Sequence, residues 1–400
     1  MLTNNYTEKL IGIKDAILTG VETENDITYI DLIMKKREHK CPVCGRMTSK
    51  VHDYRTQKVK DAPLFGCHTI LRIRKRRHVC PDCGKRFYES IPLVPKYQRT
   101  TTRLWAFVIN ELAEVQSMKA IAKRSGISGT SVARILDNLD YGMVNLPEVI
   151  SVDEFKGNAD GRKFQCILTN PKKHEVLDVL PERNVESIAG YFNEFENHAN
   201  VRYVVMDLSS IFRSMAQTCF PKACIVADKF HVQRLVTWAF EDMRKTIQKD
   251  LGAKTRRYFK KSRFLMLKNK SSLTDDEKER LSVMLSHSKD LGTAYYLLQK
   301  FQEVIQSKDK ETAKKRLHEW HMHVGATDSE RFRRFHTCVN TFIEWNDEIL
   351  NAFETSLSNG YTEGCNNKIK VIKRNAYGLR NFSRFRKRIM HVMASETESL

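Results

Sequence analysis

Three aspartates stand at the ends of three apolar runs: Asp153 after residues 149–152, Asp207 after 201–206 and Asp228 after 223–227. Short, β-branched apolar runs of this kind read as buried strands. In an open α/β sheet the ligand crevice lies beyond the carboxyl ends of the strands, so acids at three such ends point to one place. Carboxylate oxygens gathered there suit a hard divalent cation. Far downstream, residues 360–374 (GYTEGCNNKIKVIKR) read as a helix with Glu363, Asn366, Asn367, Lys370 and Arg374 close to one face. An acid followed by amides and amines suits a metal beside phosphates. Ile369 and Ile372 fall elsewhere on the cylinder and can pack inward. Glu154 points away from its neighbour Asp153 and is expected in a salt bridge.

A second chemistry lies nearer the N-terminus. Cys41-Pro-Val-Cys44-Gly and Cys80-Pro-Asp-Cys83-Gly are two knuckles that together offer four sulfurs, the tetrahedral set zinc prefers. Four protein sulfurs leave no open position, so the zinc is expected to be structural. The long spacer leaves room for a β-hairpin, and His52, Cys67, His68 and His78 are alternative ligands within or beside it. In the spacer, Arg72, Arg74 and Arg76 fall on one face of a strand, an arrangement that suits a phosphate backbone. A charged edge strand guarding against aggregation is the structural alternative.

The elements that must position these groups follow from the chain's pattern. Four hundred residues exceed one ordinary core, so two to four domains are expected. Lys plus Arg outnumber Asp plus Glu by 68 to 48, a formal +20, which favours a polyanionic partner such as nucleic acid. Ten cysteines, four of them in the knuckles, fit metal binding in a reducing cytosol better than a disulfide framework. The N-terminus lacks a secretory apolar segment and no run approaches membrane-spanning length. The expected compartment is therefore the cytoplasm, in association with the nucleoid.

Residues 1–95 are read as a zinc-binding β/ribbon domain. Residues 96–146 are read as a helix-turn-helix domain, because Ala122, Gly126 and Val132 within 118–136 carry that motif's spacing. Thr130, Ser131 and Arg134 would then face outward from the recognition helix; a plain helical hairpin is the alternative. From 149 onward the pattern is βββαβαβ, with a meander followed by a parallel step. That mixed order is the RNase H-like arrangement, in which the strands ending in Asp153 and Asp207 are neighbours. Residues 147–232 form the first part of this core, and amphipathic helical stretches over 233–355 read as an all-α insertion. Residues 356–400 carry the Glu363 helix and a basic, aromatic-bearing tail that includes Arg384, also suited to nucleic acid. The fold class is thus α+β and multidomain.

The order of knuckles, helix-turn-helix, Asp153, Asp207 and late Glu363 resembles the DDE transposases of bacterial insertion sequences, most of all the ISL-three family. The phrases SVDEF, MDLS, VADKFH and YTEGCNNKIKVIKRNAYGLRNFSRFRKRI carry the likeness. The resemblance implies a catalytic triad of Asp153, Asp207 and Glu363 holding two Mg²⁺ or Mn²⁺ ions, cleavage of DNA at the element's ends, and transfer of the freed 3′-OH to target DNA. Asp228-Lys-Phe-His231 is similar to a C/D-x-x-H motif of transposases with helical insertions, which makes Asp228 and His231 catalytic support. Glu363 with Lys370 is similar to half of another insertion-sequence signature whose upstream Tyr and Arg are replaced here by Ser356 and Asn359, so only Lys370 is carried over, as catalytic support; Asn367, Arg374 and Arg384 are read separately as DNA contacts. The pairing of two DNA ends implies a homo-oligomer on DNA. An inactive zinc-ribbon regulator and a nuclease without strand transfer are the rival functions.

Overall fold

The computed structural model describes residues 12–260 and 262–397. The chain forms two compact units, Met1–Tyr141 with Val371–Leu400, and Gly142–Lys370.

In the first unit, β1 (Ala16–Glu24) and β2 (Ile27–Met34) form a hairpin, and β3 (His39–Lys40) pairs with β4 (Met47–Thr48). The spacer between the knuckles is a long antiparallel hairpin of β5 (Val51–Leu64) and β6 (Cys67–Val79). β7 (Arg86–Tyr88) pairs with the end of β6, and the main path of the sheet is β1-β2-β6-β5. Alternation drives it: Ile30, Leu32 and Met34 of β2 are buried with Leu71 and Ile73 of β6.

The even-numbered face of β6 carries the three arginines, but its cover changes along the strand. Arg74 is exposed and stacks on Tyr54. Arg72 is held by Asp31 and Glu22. Arg76 is only 7% exposed and donates to Glu89 and to the Met34 carbonyl. The expectation of three guanidiniums open to phosphate is thus corrected: β7 and the segment after it cover Arg76, and acids from the first hairpin claim Arg72.

Three helices follow: α1 (Thr102–Ala113), α2 (Met118–Ser125) and α3 (Gly129–Asp137). Thr101, Ser117 and Ser128 cap them by accepting backbone N–H groups. Gly126 ends α2 at φ +66°, a conformation glycine adopts without strain. Ile121, Val132 and Leu136 fill the core between the helices. Thr130 and Arg134 are exposed and Ser131 is half-buried.

The second unit is built on β8 (Val149–Phe155), β9 (Gln165–Asn170), β10 (Glu175–Leu180), β11 (Tyr203–Met206) and β12 (Cys224–Ala227), in the order β10-β9-β8-β11-β12. β8 and β9 run antiparallel; β8, β11 and β12 run parallel. The strand of Asp153 therefore lies beside that of Asp207, as the pattern implies. β8 continues past the expected end, because its pairing with β9 extends to Phe155, so Asp153 sits within the strand opposite Ile167. Glu154 is in a salt bridge with Arg183. α4 (Val185–Phe192) and α5 (Ser210–Cys219) connect the strands.

From Asp228 the chain turns helical: α6 (Lys229–Asp250), α7 (Ala253–Tyr258), α8 (Ser262–Met266), α9 (Asp275–Ser286), α10 (Lys289–Ile305), α11 (Lys310–Gly325), α12 (Arg333–Glu344) and α13 (Asn346–Thr355). Phe240, Phe301, Trp320, Phe335 and Phe342 centre their common core. The buried residues of α11, Ala313, Leu317, Trp320 and Val324, are a thin stripe among charged neighbours. α12 and α13 are separated by a break at Trp345.

α14 (Gly360–Asn375) and α15 (Phe382–Thr397) complete the chain. The basic tail is not free: α15 packs on α1 and α3 and buries Phe385, Ile389 and Val392. Arg384 binds the Asp137 carboxylate through two nitrogens, at 2.8 and 2.7 Å. Arg388, 3% exposed, donates to the carbonyls of Leu112, Glu114 and Gln116, serving the unmatched C-terminal end of α1. Arg384, expected at DNA, is thus engaged with Asp137 while remaining partly exposed. No helix among the described residues is long and apolar enough to cross a membrane.

Candidate active site

Strand register gathers the acids. Met206 pairs with Val152 on one side and with Ala227 on the other, so Asp153, Asp207 and Asp228 each follow one of three residues in line. His231, in the first turn of α6, reaches back between two of them. Its Nε2 lies 2.7 Å from Asp207 Oδ2 and its Nδ1 lies 3.1 Å from Asp228 Oδ2. Among the described residues Asp207, Asp228 and His231 are the tight group here, with ligating atoms within 4.8 Å of one another. Asp153 and Glu363 lie outside that group.

α14 and the residue before it close the site through amides. Asn359 donates its backbone N–H to Asp228 Oδ1 at 3.1 Å and its side-chain amide to Asp207 Oδ1 at 3.3 Å. Asn366 donates to Asp153 Oδ2 at 2.8 Å, and its own Oδ1 is buried without a partner. Between them Thr362 is fully buried, its hydroxyl 3.0 Å from Ser151 and 2.8 Å from Thr169. Asn359, Thr362, Asn366 and Ile369 therefore form the sheet-facing stripe.

That stripe corrects the expected helix face. Asn366 is turned inward, whereas Asn367, Lys370 and Arg374 are exposed; Lys370 donates to Asn367 at 3.0 Å. Glu363 is half-buried on the flank, four residues after Asn359 and three before Asn366. It is thus within a turn of residues that touch all three aspartates. Asn359, Ser151, Thr362 and Thr169 are the site residues that sequence reasoning did not assign; Asn366 was placed on the functional face, but not against Asp153. A polar residue on an apolar stripe was the available signal, at Thr362 and Asn366 beside Ile369.

The electrostatics match an acid cluster awaiting positive charge. Burial, followed by the Asp207 charge, pushes the Asp153 carboxyl up to about 7. For His231 burial acts downward, but hydrogen bonds to Asp207 and Asp228 outweigh it and raise the imidazole to about 9. Burial acts upward on Asp228, yet the His231 and Asn359 hydrogen bonds hold it below the usual carboxylate range.

In the first unit the four knuckle cysteines converge. Cys41 Sγ lies 3.6 Å from Cys83 Sγ, and Cys44 Sγ lies 3.4 Å from Cys80 Sγ. Gly45 and Gly84 take φ of +76° and +70°, which closes each knuckle as its N–H bonds the Cys41 or Cys80 carbonyl. Backbone N–H groups of Cys44 and Val43 pull the Cys41 thiol down to about 6 despite its burial. Four sulfurs in a closed set fit a structural zinc. His52, Cys67, His68 and His78 lie outside that set.

Comparison with known proteins gives the family of each part of the chain. A family model described as a transposase of the DDE, ISL3 type matches residues 150–389. Two further models match: a zinc-finger of transposases IS204/IS1001/IS1096/IS1165 at 37–83, and the helix-turn-helix domain of transposase family ISL3 at 89–139. The chain is 26% identical over 353 residues, 85% of each chain, to the transposase for insertion sequence element IS1001 of Bordetella parapertussis. It is also 50% identical, over only 56 residues (14% of this chain, 18% of the relative), to a Lactococcus lactis subsp. lactis protein named ATP-dependent protease. With one family model spanning most of the second unit and two more accounting for the ribbon and the helix-turn-helix, the chain belongs to the ISL3 family of insertion-sequence transposases.

Proposed function

We propose that this DNA-binding transposase cleaves phosphodiesters at its element's ends and transfers the freed 3′-OH to target DNA, using Asp153, Asp207 and Glu363 as the acids of a divalent-metal site. The five-stranded sheet is read as an RNase H-like core, and α6 to α13 as an all-α insertion ahead of the Glu363 helix. The observation that carries the reading is the amide clamp: α14 holds Asp153 through Asn366, and the preceding Asn359 holds Asp207 and Asp228, which brings Glu363 to the same edge of the sheet.

The donor set fits Mg²⁺ or Mn²⁺. It offers hard carboxylate oxygens, a buried Asn366 Oδ1 with no partner, and an Asp153 carboxyl whose raised proton affinity marks a need for positive charge. A pair of such ions would activate water and steady the leaving oxygen of an in-line displacement. Asp153, Asp207 and Glu363 would hold them. Asp228 and His231 fix the rotamer and charge of Asp207, and Lys370 and Arg374, exposed on α14, steer phosphates. Arg74, Thr130, Ser131, Arg134 and Asn367 provide further DNA contacts. Two ends joined in one reaction call for a homo-oligomer on DNA.

The test is end-containing duplex DNA incubated with the full-length protein and Mg²⁺. Cleavage and strand-transfer products, both lost in Asp153→Ala, support the reading. Cleavage without joined products would make it a nuclease, and binding alone would make it a regulator.

A further inference from the structure

His39, His78 and Glu89 form a second ligand cluster, apart from the cysteines, with ligating atoms within 4.8 Å of one another. They come from β3, the end of β6 and the residue after β7. His78 is fully buried, and neither of its ring nitrogens makes a well-formed hydrogen bond, although the Lys50 backbone stands close enough to one of them to act on it. An imidazole sealed from water with neither nitrogen well matched is a costly arrangement, and native interiors normally supply a partner. The His39 ring lies 4.6 Å from it, centroid to centroid, and His39 Nε2 stands 3.9 Å from Glu89 Oε2, too far for a hydrogen bond. Glu89 is steadied from the opposite side: the Arg76 backbone N–H donates to Oε1 at 2.8 Å and its Nη1 to Oε2 at 3.1 Å. Outer donors of this kind commonly orient a carboxylate that ligates metal.

We propose that His39, His78 and Glu89 bind a second ion of the zinc class, separate from the thiolate site. Two imidazoles and one carboxylate favour Zn²⁺ over Mg²⁺, and the fourth position goes to a water. Each histidine stands two residues before the first cysteine of a knuckle, His39 before Cys41 and His78 before Cys80. The second ion would therefore tie both knuckles to the segment that follows β7.

The test is the zinc content and zinc-edge X-ray absorption of the full-length protein, purified without chelator, with His231→Ala measured alongside so that zinc held by the aspartate cluster is told apart. The expected result is two zinc ions per chain, with a nitrogen/oxygen shell beside the sulfur shell. His39→Ala and, separately, Glu89→Gln should each leave one zinc with sulfur ligands only. One zinc per chain with a purely sulfur shell in the unaltered protein overturns the proposal, and would leave His78 to a buried water. So does an unchanged nitrogen/oxygen shell in His39→Ala. If both variants fail to fold, the count and shell of the unaltered protein decide.

Discussion

His231 holds Asp207 at 2.7 Å from its Nε2, while its other ring nitrogen is engaged by Asp228. The imidazole is thus a bridge between an acid proposed to bind metal and one that is 3% exposed. Replacing it with alanine frees the Asp207 rotamer and leaves Asp228 buried without its cation. Loss of such an outer partner typically costs ~10–100-fold in metal affinity or activity. Breaking a buried pair costs about 3–5 kcal/mol of stability. His231→Ala should show both, in Mg²⁺ titrations of end cleavage and in thermal melting; unchanged cleavage would remove His231 from the site.

The same bridge gives the metal-free protein a pH signature. The folded His231 is raised to about 9, above an unfolded value of about 6.5. Its contribution is therefore complete below about 6.5 and lost as pH rises through about 9. Asp228 is shifted down, so its contribution is present above the unfolded carboxylate value and fades as pH falls through the folded one. Chemical denaturation with Mg²⁺ withheld should show stability falling on the alkaline side, and His231→Ala should flatten that limb.

Asp153 titrates in the other sense. Its carboxyl is raised to about 7, so below that pH it carries a proton that a divalent cation must displace. Cleavage at limiting Mg²⁺ should climb as pH rises to about 7 and then level. Raising Mg²⁺ should move that limb to lower pH. Calorimetry in buffers of different ionisation enthalpy should detect proton release on Mg²⁺ binding near neutral pH.

Asn366 and Thr362 divide two jobs on one helix. Asn366→Ala removes the donor to Asp153 and should weaken Mg²⁺-dependent cleavage by ~10–100-fold. Thr362→Val keeps the shape but strands the Thr169 hydroxyl, while Ser151 keeps its bond to Asn359, at a cost of about 1–3 kcal/mol in melting experiments. If Thr362→Val also lowers cleavage once folded, the hydroxyl ladder sets the register that presents Glu363.

Arg134 and Arg384 should separate by salt dependence. Arg134 is exposed on α3, so Arg134→Ala should weaken end binding and reduce the slope of log affinity against log salt by about 1 if it meets a phosphate. Arg384 is already spent on Asp137, so Arg384→Ala should lower stability and leave that slope unchanged. A lowered slope for Arg384→Ala would return it to the DNA surface.

What the sequence determined alone was whatever is encoded by local spacing. Two C-x-x-C-G knuckles, the cap and glycine pattern of α2 and α3, and apolar runs ending in Asp153, Asp207 and Asp228 are short-range signals, because metal geometry, helix ends and strand period are all set within a few residues. Tertiary structure decided which polar groups those elements face. Arg76 and Arg384 look like free cations in one dimension, but each meets a carboxylate from a distant segment, Glu89 and Asp137. Asn359 and Asn366 look like ordinary helix polarity until the helix docks and each finds an aspartate more than a hundred residues away in the chain. Side-chain partners across such separations depend on how strands and helices pack, which no local period records.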